Sequence, residues 1–290
     1  MFIQILIGSI MIGSVYGLMA LGYSLIYSAS GLMTFVQGDL LMIGAFLGLT
    51  FYKSLGMPFI FAFLCTIVCM FIIGLLIERF IIRKLVGAGA NIIFIVLATI
   101  ALSIIFQNLA MVTWGSNVFQ FPPIFKSSVI SIGKLKVVPE LVMAIIIGII
   151  IMIVLNLFMN RTRFGTSMRA AAQDPLAART LSINVSLTTG VTWGIASALT
   201  GVAGMIIGPV YGVHTTMGVM IGLKGFAGAV IGGYGIMHGA IVGSMGLGII
   251  ETFTSGYISS TYKDVISFLI LIIFLAIRPR GIFNAHVLDD

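Results

Sequence analysis

Charged residues are absent from six stretches of this chain, residues 1–38, 54–77, 85–125, 141–160, 180–223 and 225–250, and each is 20 residues or longer. About 20 apolar residues at 1.5 Å rise cover the ~30 Å hydrocarbon core of a bilayer, so each stretch can hold at least one span. Composition agrees. Apolar residues make up 60% of the chain and charged residues 8%, whereas a water-soluble domain carries roughly 25% charge to solvate its surface. A soluble fold is excluded, and the chain is polytopic. It is apolar from Phe2 onward and its first basic residue is Lys53, so the amino-terminal segment is expected to be the first span and not a cleavable signal peptide.

Turn and charge signals divide the sequence into spans near residues 3–27, 33–52, 58–77, 91–112, 139–159, 186–207, 224–238, 240–256 and 265–277. The expected fold is an all-α polytopic membrane protein with about 8–9 transmembrane helices, forming a single domain over residues 1–290. The last three spans are short and carry Gly and Pro nearby, so some are expected to be re-entrant or broken helices lining a cavity. If the loop at 78–90 is cytoplasmic, alternation places 160–185 and the tail from Arg278 on the same side. That side then holds all eight arginines and Lys84, against Lys53, Lys126, Lys134, Lys136, Lys224 and Lys263 on the other. The bias puts the N-terminus outside and the C-terminus inside.

Neither long polar stretch, the outer loop 113–138 or the inner loop 160–185, is large enough for a core of its own. The chain has no G-x-x-x-x-G-K-[ST] phosphate loop and no H-E-x-x-H, and His214, His238 and His286 are scattered without a partner at helical spacing. No metal site and no catalytic residue is expected, and any energy from nucleotide must come from another subunit. Cys65 and Cys69 lie four apart with no His, Asp or Glu nearby, and read as small packing residues.

The inner loop reads NRTRFGTSMRAAAQDPLAARTLSINV. The run Met168 to Gln173 favours helix, and Asp174-Pro175 supplies an N-cap with proline at the first helical position, restarting a helix through Thr180 or Leu181. Leu176, Ala177 and Leu181 form a small apolar stripe beside Arg179. Two short helices, the second capped by Asp174, exceed what charge-driven topology or contact with anionic lipid requires, and they have the form of an element that docks in a partner's groove.

Between Gly208 and Gly248 there are 13 glycines in 41 residues. Many recur at four-residue spacing, which lets helix backbones approach closely in lipid. Gly232-Gly233-Tyr234-Gly235 cannot occupy one packing face, and reads as a helix break at membrane depth. Asp39 follows Gly38 and precedes an apolar helix, where it is either the N-cap or a polar group exposed where the first two spans meet. Lys224 is expected to open the seventh span and snorkel, and Glu251 to lie within reach of an interface. His238 reads as a polar loop residue.

Four segments in this order resemble one family. GSVYGLMALGYSLIYSASGLMTFVQGDLLMIGAF, MRAAAQDPLAARTLSIN, GLKGFAGAVIGGYGIMHGAIVGSMGLGIIET and YKDVISFLILIIFLAIRPRGIF are similar to the first-span, docking-loop, glycine-rich and closing segments of the permease subunits of bacterial branched-chain amino acid ABC importers. The resemblance implies a multi-pass protein of the bacterial cytoplasmic membrane. It implies a second homologous permease subunit, two cytoplasmic ATP-binding subunits and a periplasmic substrate-binding protein as partners, besides the lipid bilayer; nothing suggests nucleic acid. This chain would bind no cofactor itself, and ATP would sit on the partner subunits.

The resemblance also implies site residues. Arg169, Ala172, Asp174, Pro175, Ala178, Arg179 and Leu181 would form the ATPase-docking surface, and the loop 113–138 would face the periplasm. Gln37, Gly38, Asp39, Gly232, Gly233 and Gly235 are the candidates for the pathway. Gln37 stands where the family often has His, Ser182 where it usually has Gly, and His238 where Pro is common. The changes at Gln37 and His238 bear on solute identity, since similar permeases are associated with urea, short amides and other amino acids. Ser182 implies a different or weaker helix cap. A stand-alone secondary transporter or channel, with Asp39 or Glu251 as its coupling carboxylate, remains the main alternative; an intramembrane enzyme lacks a visible nucleophile–base pair.

Overall fold

The computed structural model describes residues 2–125, 130–132 and 135–283. Lys126, Lys134 and His286 lie outside these. Among the described residues, nine long helices answer to the nine expected spans: α1 (Phe2–Ser30), α2 (Gln37–Leu49), α3 (Phe59–Ile77), α5 (Ile92–Trp114), α6 (Pro139–Arg161), α9 (Val185–Tyr211), α10 (Met217–Gly232), α11 (Met237–Tyr257) and α12 (Lys263–Ile277). Three short ones complete the set, α4 (Arg83–Gly87), α7 (Arg163–Gln173) and α8 (Pro175–Thr180). π-helical turns at Thr50–Ser54 and Glu78–Ile82 prolong α2 and α3. The one departure from all-α among these residues is a small hairpin between α5 and α6, β1 (Ile130–Ile132) antiparallel to β2 (Leu135–Val137).

Local chemistry explains the boundaries. Asn91 and Asn184 side chains accept from the amides of Ile93 (3.2 Å) and Leu187 (3.1 Å) at the starts of α5 and α9, and Pro139 opens α6, each the residue type that satisfies or lacks an orphan first-turn N–H. Five helices, those beginning at Phe2, Phe59, Ile92, Pro139 and Val185, are long and apolar enough to cross a membrane.

α1 and α9 form the buried centre, with α2 alongside. α3, α5, α6 and α12 present rows of exposed Ile, Leu, Val and Phe to the outside, a surface that only lipid solvates. The central helices touch backbone to backbone. Gly44 lies on Gly201, Gly204 on Leu41 and Ala45, Gly248 on Gly13, and Gly218 and Gly222 on Gly38. Without a hydrophobic driving force between helices in lipid, such close contact supplies the attraction, so the four-residue glycine spacing serves packing inside the bundle.

Two expected segments are corrected. α10 begins at Met217, seven residues before the expected start at Lys224; the lysine that looked like a boundary is buried in mid-helix and neutralised by partners. Only residues from Gln37 on are helical in the second span. Residues 31–36 run irregularly, with Leu32, Thr34 and Val36 buried and the Phe35 amide donating to Thr99 Oγ1 at 3.2 Å. Non-helical backbone at such a place is tolerated because protein, not lipid, surrounds it.

One end of the bundle collects several connections. Arg83 Nη2 donates to the Ser186 carbonyl at 2.6 Å, tying the Glu78–Arg83 turn to the start of α9. The Ile282 and Phe283 amides donate to the Ile231 and Gly232 carbonyls, and Tyr27 near the end of α1 packs on Gly235 and Tyr234. Gly22 sits against Ala196 and Thr200 of α9, so these groups share an end.

Candidate functional site

The first turn of α2 places Gln37, Gly38 and Asp39 against three different neighbours. The N-cap is Val36, which offers no side-chain bond, so Asp39 is not the cap. Its carboxylate turns instead to α5, accepting from Ser103 Oγ and from Gln107 Nε2 at 2.9 Å. Ser103 and Gln107 are one helical turn apart and present one face. Asp39 is buried and has no ion pair among the described residues. A carboxylate held inside a bundle by neutral donors alone is a functional site by default in a membrane protein.

Gln37 faces α9. Its Oε1 accepts from Thr200 Oγ1 at 2.6 Å, while its buried Nε2 has no partner among the described residues. Gly38 lets α2 and α10 meet, since a Cβ there would strike the Gly218 carbonyl. Beside Asp39 opens a cavity of about 220 Å³, with Ser103 and Gln107 on its polar side and Ile100, Val219 and Leu223 among its apolar walls.

The glycine break is real, but elsewhere. Gly233 (φ 116°) and Gly235 (φ 89°) adopt backbone that favours glycine, and Gly232 packs on Gly239 in an antiparallel α10–α11 hairpin. Gly281 lies on Gly233. The break therefore sits beside residues 281–283, ten residues and more along α10 from Gly222, which meets Gly38, and so away from Asp39. Because α10 begins earlier than its charge pattern suggested, its full length is used before the break. His238 lies exposed in the first turn of α11 and not in a loop.

Sequence reasoning missed a second polar centre. Lys224 Nζ lies 2.5 Å from Glu251 Oε1 and 2.5 Å from Asp264 Oδ1, and Tyr16 donates to Glu251 Oε2 at 2.8 Å. Lys224 and Glu251 are both buried, so neither snorkels to an interface. The usable signal was a lysine and a glutamate that both interrupt long apolar runs, each implying a partner.

Residues 160–185 form the two expected helices. Thr162 caps α7 through the Gly165 amide at 3.0 Å, and Asp174 Oδ1 caps α8 through the amides of Leu176 (2.8 Å) and Ala177 (3.0 Å). Arg169, Asp174, Pro175, Leu176, Arg179 and Leu181 are exposed, Ala172 is half-buried, and Ala178 is buried, so Ala178 supports the surface from behind instead of lying on it. Ser182 takes φ 62°, and the bonds Ser182 N–H to Arg179 O and Ile183 N–H to Ala178 O complete a helix-ending motif that normally uses glycine.

A multi-pass helical bundle with a buried carboxylate at a side cavity and an exposed helix pair at one end is the architecture of a membrane-embedded permease. Residues 5–275 match the family described as branched-chain amino acid transport system / permease component, and the chain belongs to that family. It is 32% identical to the high-affinity branched-chain amino acid transport system permease protein LivH of Salmonella typhimurium, over 98% of this chain and 96% of that one. The corresponding protein BraD of Pseudomonas aeruginosa is 31% identical over the same shares, and a probable LivH of Methanocaldococcus jannaschii 28%, covering 96% of this chain and 91% of that protein. In fold the chain is similar to a chain of PsaBC from Streptococcus pneumoniae, solved in complex with Fab, with a TM-score of 0.52, 15% identity, and 96% and 93% of the two chains covered.

Proposed function

We propose that this chain is one of two permease subunits of an ATP-driven importer in a bacterial inner membrane, and that it lines the route taken by branched-chain amino acids. The observation that carries this reading is the Asp39 cavity. Asp39, held by Ser103 and Gln107, offers negative charge to a substrate ammonium, and Ile100, Val219 and Leu223 offer an apolar wall to an aliphatic side chain. The names of the relatives supply the same solute class.

The helix pair α7–α8 suits the grip of a cytoplasmic ATP-binding subunit, because its outward face combines Arg169 and Arg179 with Leu176 and Leu181. α7 packs on α1, α6 and α9, and α9 carries Thr200, the partner of Gln37. Movement of α7 therefore reaches the first turn of α2 through packed helices, a route by which nucleotide closure converts into alternating access. In this scheme the N-terminus is outside, the C-terminus inside, and a periplasmic binding protein delivers the solute to the end opposite α7–α8.

Reconstitution with the partner subunits and binding protein in vesicles tests the reading. Asp39→Asn keeps both hydrogen-bonding neighbours within reach but removes the charge, a loss of roughly 1.5–3 kcal/mol for a charged contact. Leucine uptake is expected to show KM raised about ten-fold or more with ATP hydrolysis retained. Unchanged KM overturns Asp39 as a substrate contact, and uptake that continues without ATP favours a secondary transporter.

A further inference from the structure

A second cavity, of about 330 Å³, opens beside the Lys224 network between α1, the end of α9, and the starts of α10 and α12. Ile12, Ile207, Met220 and Ile221 are among its apolar walls. Within the network Lys224 and Glu251 satisfy each other, and both Glu251 oxygens are engaged. Asp264 is different. One oxygen meets Lys224, the other has no hydrogen bond among the described residues, and its side chain is 34% exposed. Lys263 lines the same cavity and has no ion pair among the described residues. His214 lines it too, and its buried Nδ1 has no partner among them.

The cavity thus presents one half-used carboxylate and one uncompensated ammonium against an aliphatic wall. Its formal charges sum to zero, two lysines against Glu251 and Asp264, so a ligand of zero net charge leaves that balance intact. A net cation or anion would upset it in a setting where uncompensated charge is expensive. We infer that this cavity is a second binding site for an aliphatic zwitterion, a free amino acid, with its ammonium on Asp264 and its carboxylate on Lys263. Lys224 acts as the positioning residue, holding the Asp264 carboxylate at the cavity edge. The site lies at the end of the bundle opposite α7–α8, next to the outer loop through the Phe119–Val213 bridge. It rests on the proposed amino acid transport and would serve as the solute's station before the Asp39 cavity.

The test uses the assembled transporter in a Cys65→Ala/Cys69→Ala background, with Met220→Cys as a reporter on the cavity wall. Alkylation of the reporter thiol by N-ethylmaleimide is followed with L-leucine, with isoamylamine, which lacks the carboxylate, and with 4-methylpentanoate, which lacks the ammonium. Leucine is expected to protect the thiol, and each analogue to need about ten-fold more or greater, as for loss of a charged contact. Asp264→Asn and, independently should that variant fail to assemble, Lys263→Met are expected to weaken protection by a similar factor, while Asp39→Asn leaves it intact. Equal protection by either analogue, or none by leucine, overturns the zwitterion site. Uptake of labelled leucine by the same preparation separates the two readings. Uptake without protection removes this site and leaves the proposed function standing; protection without uptake keeps the site and removes the transport reading.

Discussion

Lys224→Met isolates the energetic role of the buried network. Methionine preserves most of the side chain's length while deleting its charge, and leaves Glu251, itself buried, with Tyr16 as its remaining partner among the described residues. Breaking a buried ion pair by removing one member costs about 3–5 kcal/mol. Asp264 adds little, because its half-open carboxylate regains water. Adding Glu251→Gln deletes the stranded charge while a Gln oxygen still accepts from Tyr16, so the double variant is expected to recover at least half of the loss. In thermal unfolding of the detergent-purified protein at roughly 2–4 °C per kcal/mol, the single variant should fall by on the order of 10 °C. The sign of the coupling is the sharper readout, since two independent packing defects add. A double variant less stable than Lys224→Met, or a single variant melting within about 2 °C of the parent, would refute the idea that the pair is energetically a unit.

The backbone and the docking loop give further predictions. Ser182→Gly should stabilise the end of α8 by up to about 1 kcal/mol, because an L-residue in left-handed backbone costs about 1–2 kcal/mol and glycine returns part of that as entropy. Slower amide exchange at Ile183 checks it; unchanged exchange rejects it. Gly204→Val should abolish the folded yield, since its Cβ would fall on the Leu41 carbonyl and the Ala45 amide, whereas Gly246→Val, whose Cβ meets nothing within 4 Å, should leave yield intact. Equal yields would show that the α2–α9 approach is not tight. Arg169→Glu, on the exposed face of α7, should uncouple ATP hydrolysis from uptake while leaving the melting temperature unchanged; normal coupling would remove α7 from the docking surface.

Caps were readable because they depend on residues two or three apart. Asp174-Pro175 announced α8, whereas the glycine-preferring position at Ser182 was recognised only through the resemblance to the family. Asp39 was identifiable as an unusual charge, yet its partners Ser103 and Gln107 are 64 and 68 residues away on α5, and no local pattern links them. Ala178 was assigned to the docking surface because a six-residue helix does not reveal which face will meet α9.

Local composition alone therefore determined that the chain crosses the membrane repeatedly, and roughly where, since the free energy of placing a segment in lipid is close to a sum over its own residues. It also determined that α7 and α8 form, the first through its alanine-rich run and the second through the Asp174 cap. Tertiary structure decided where charge and irregular backbone are allowed. Lys224 looked like a span boundary and is a buried cation, because the Glu251 and Asp264 carboxylates replace the water it loses. Residues 33–36 fell within an expected span and are not helical, because surrounding helices shield a backbone that lipid could not satisfy. Both outcomes depend on partners distant in sequence, and burial of a polar group is tolerable only once those partners have been brought to it.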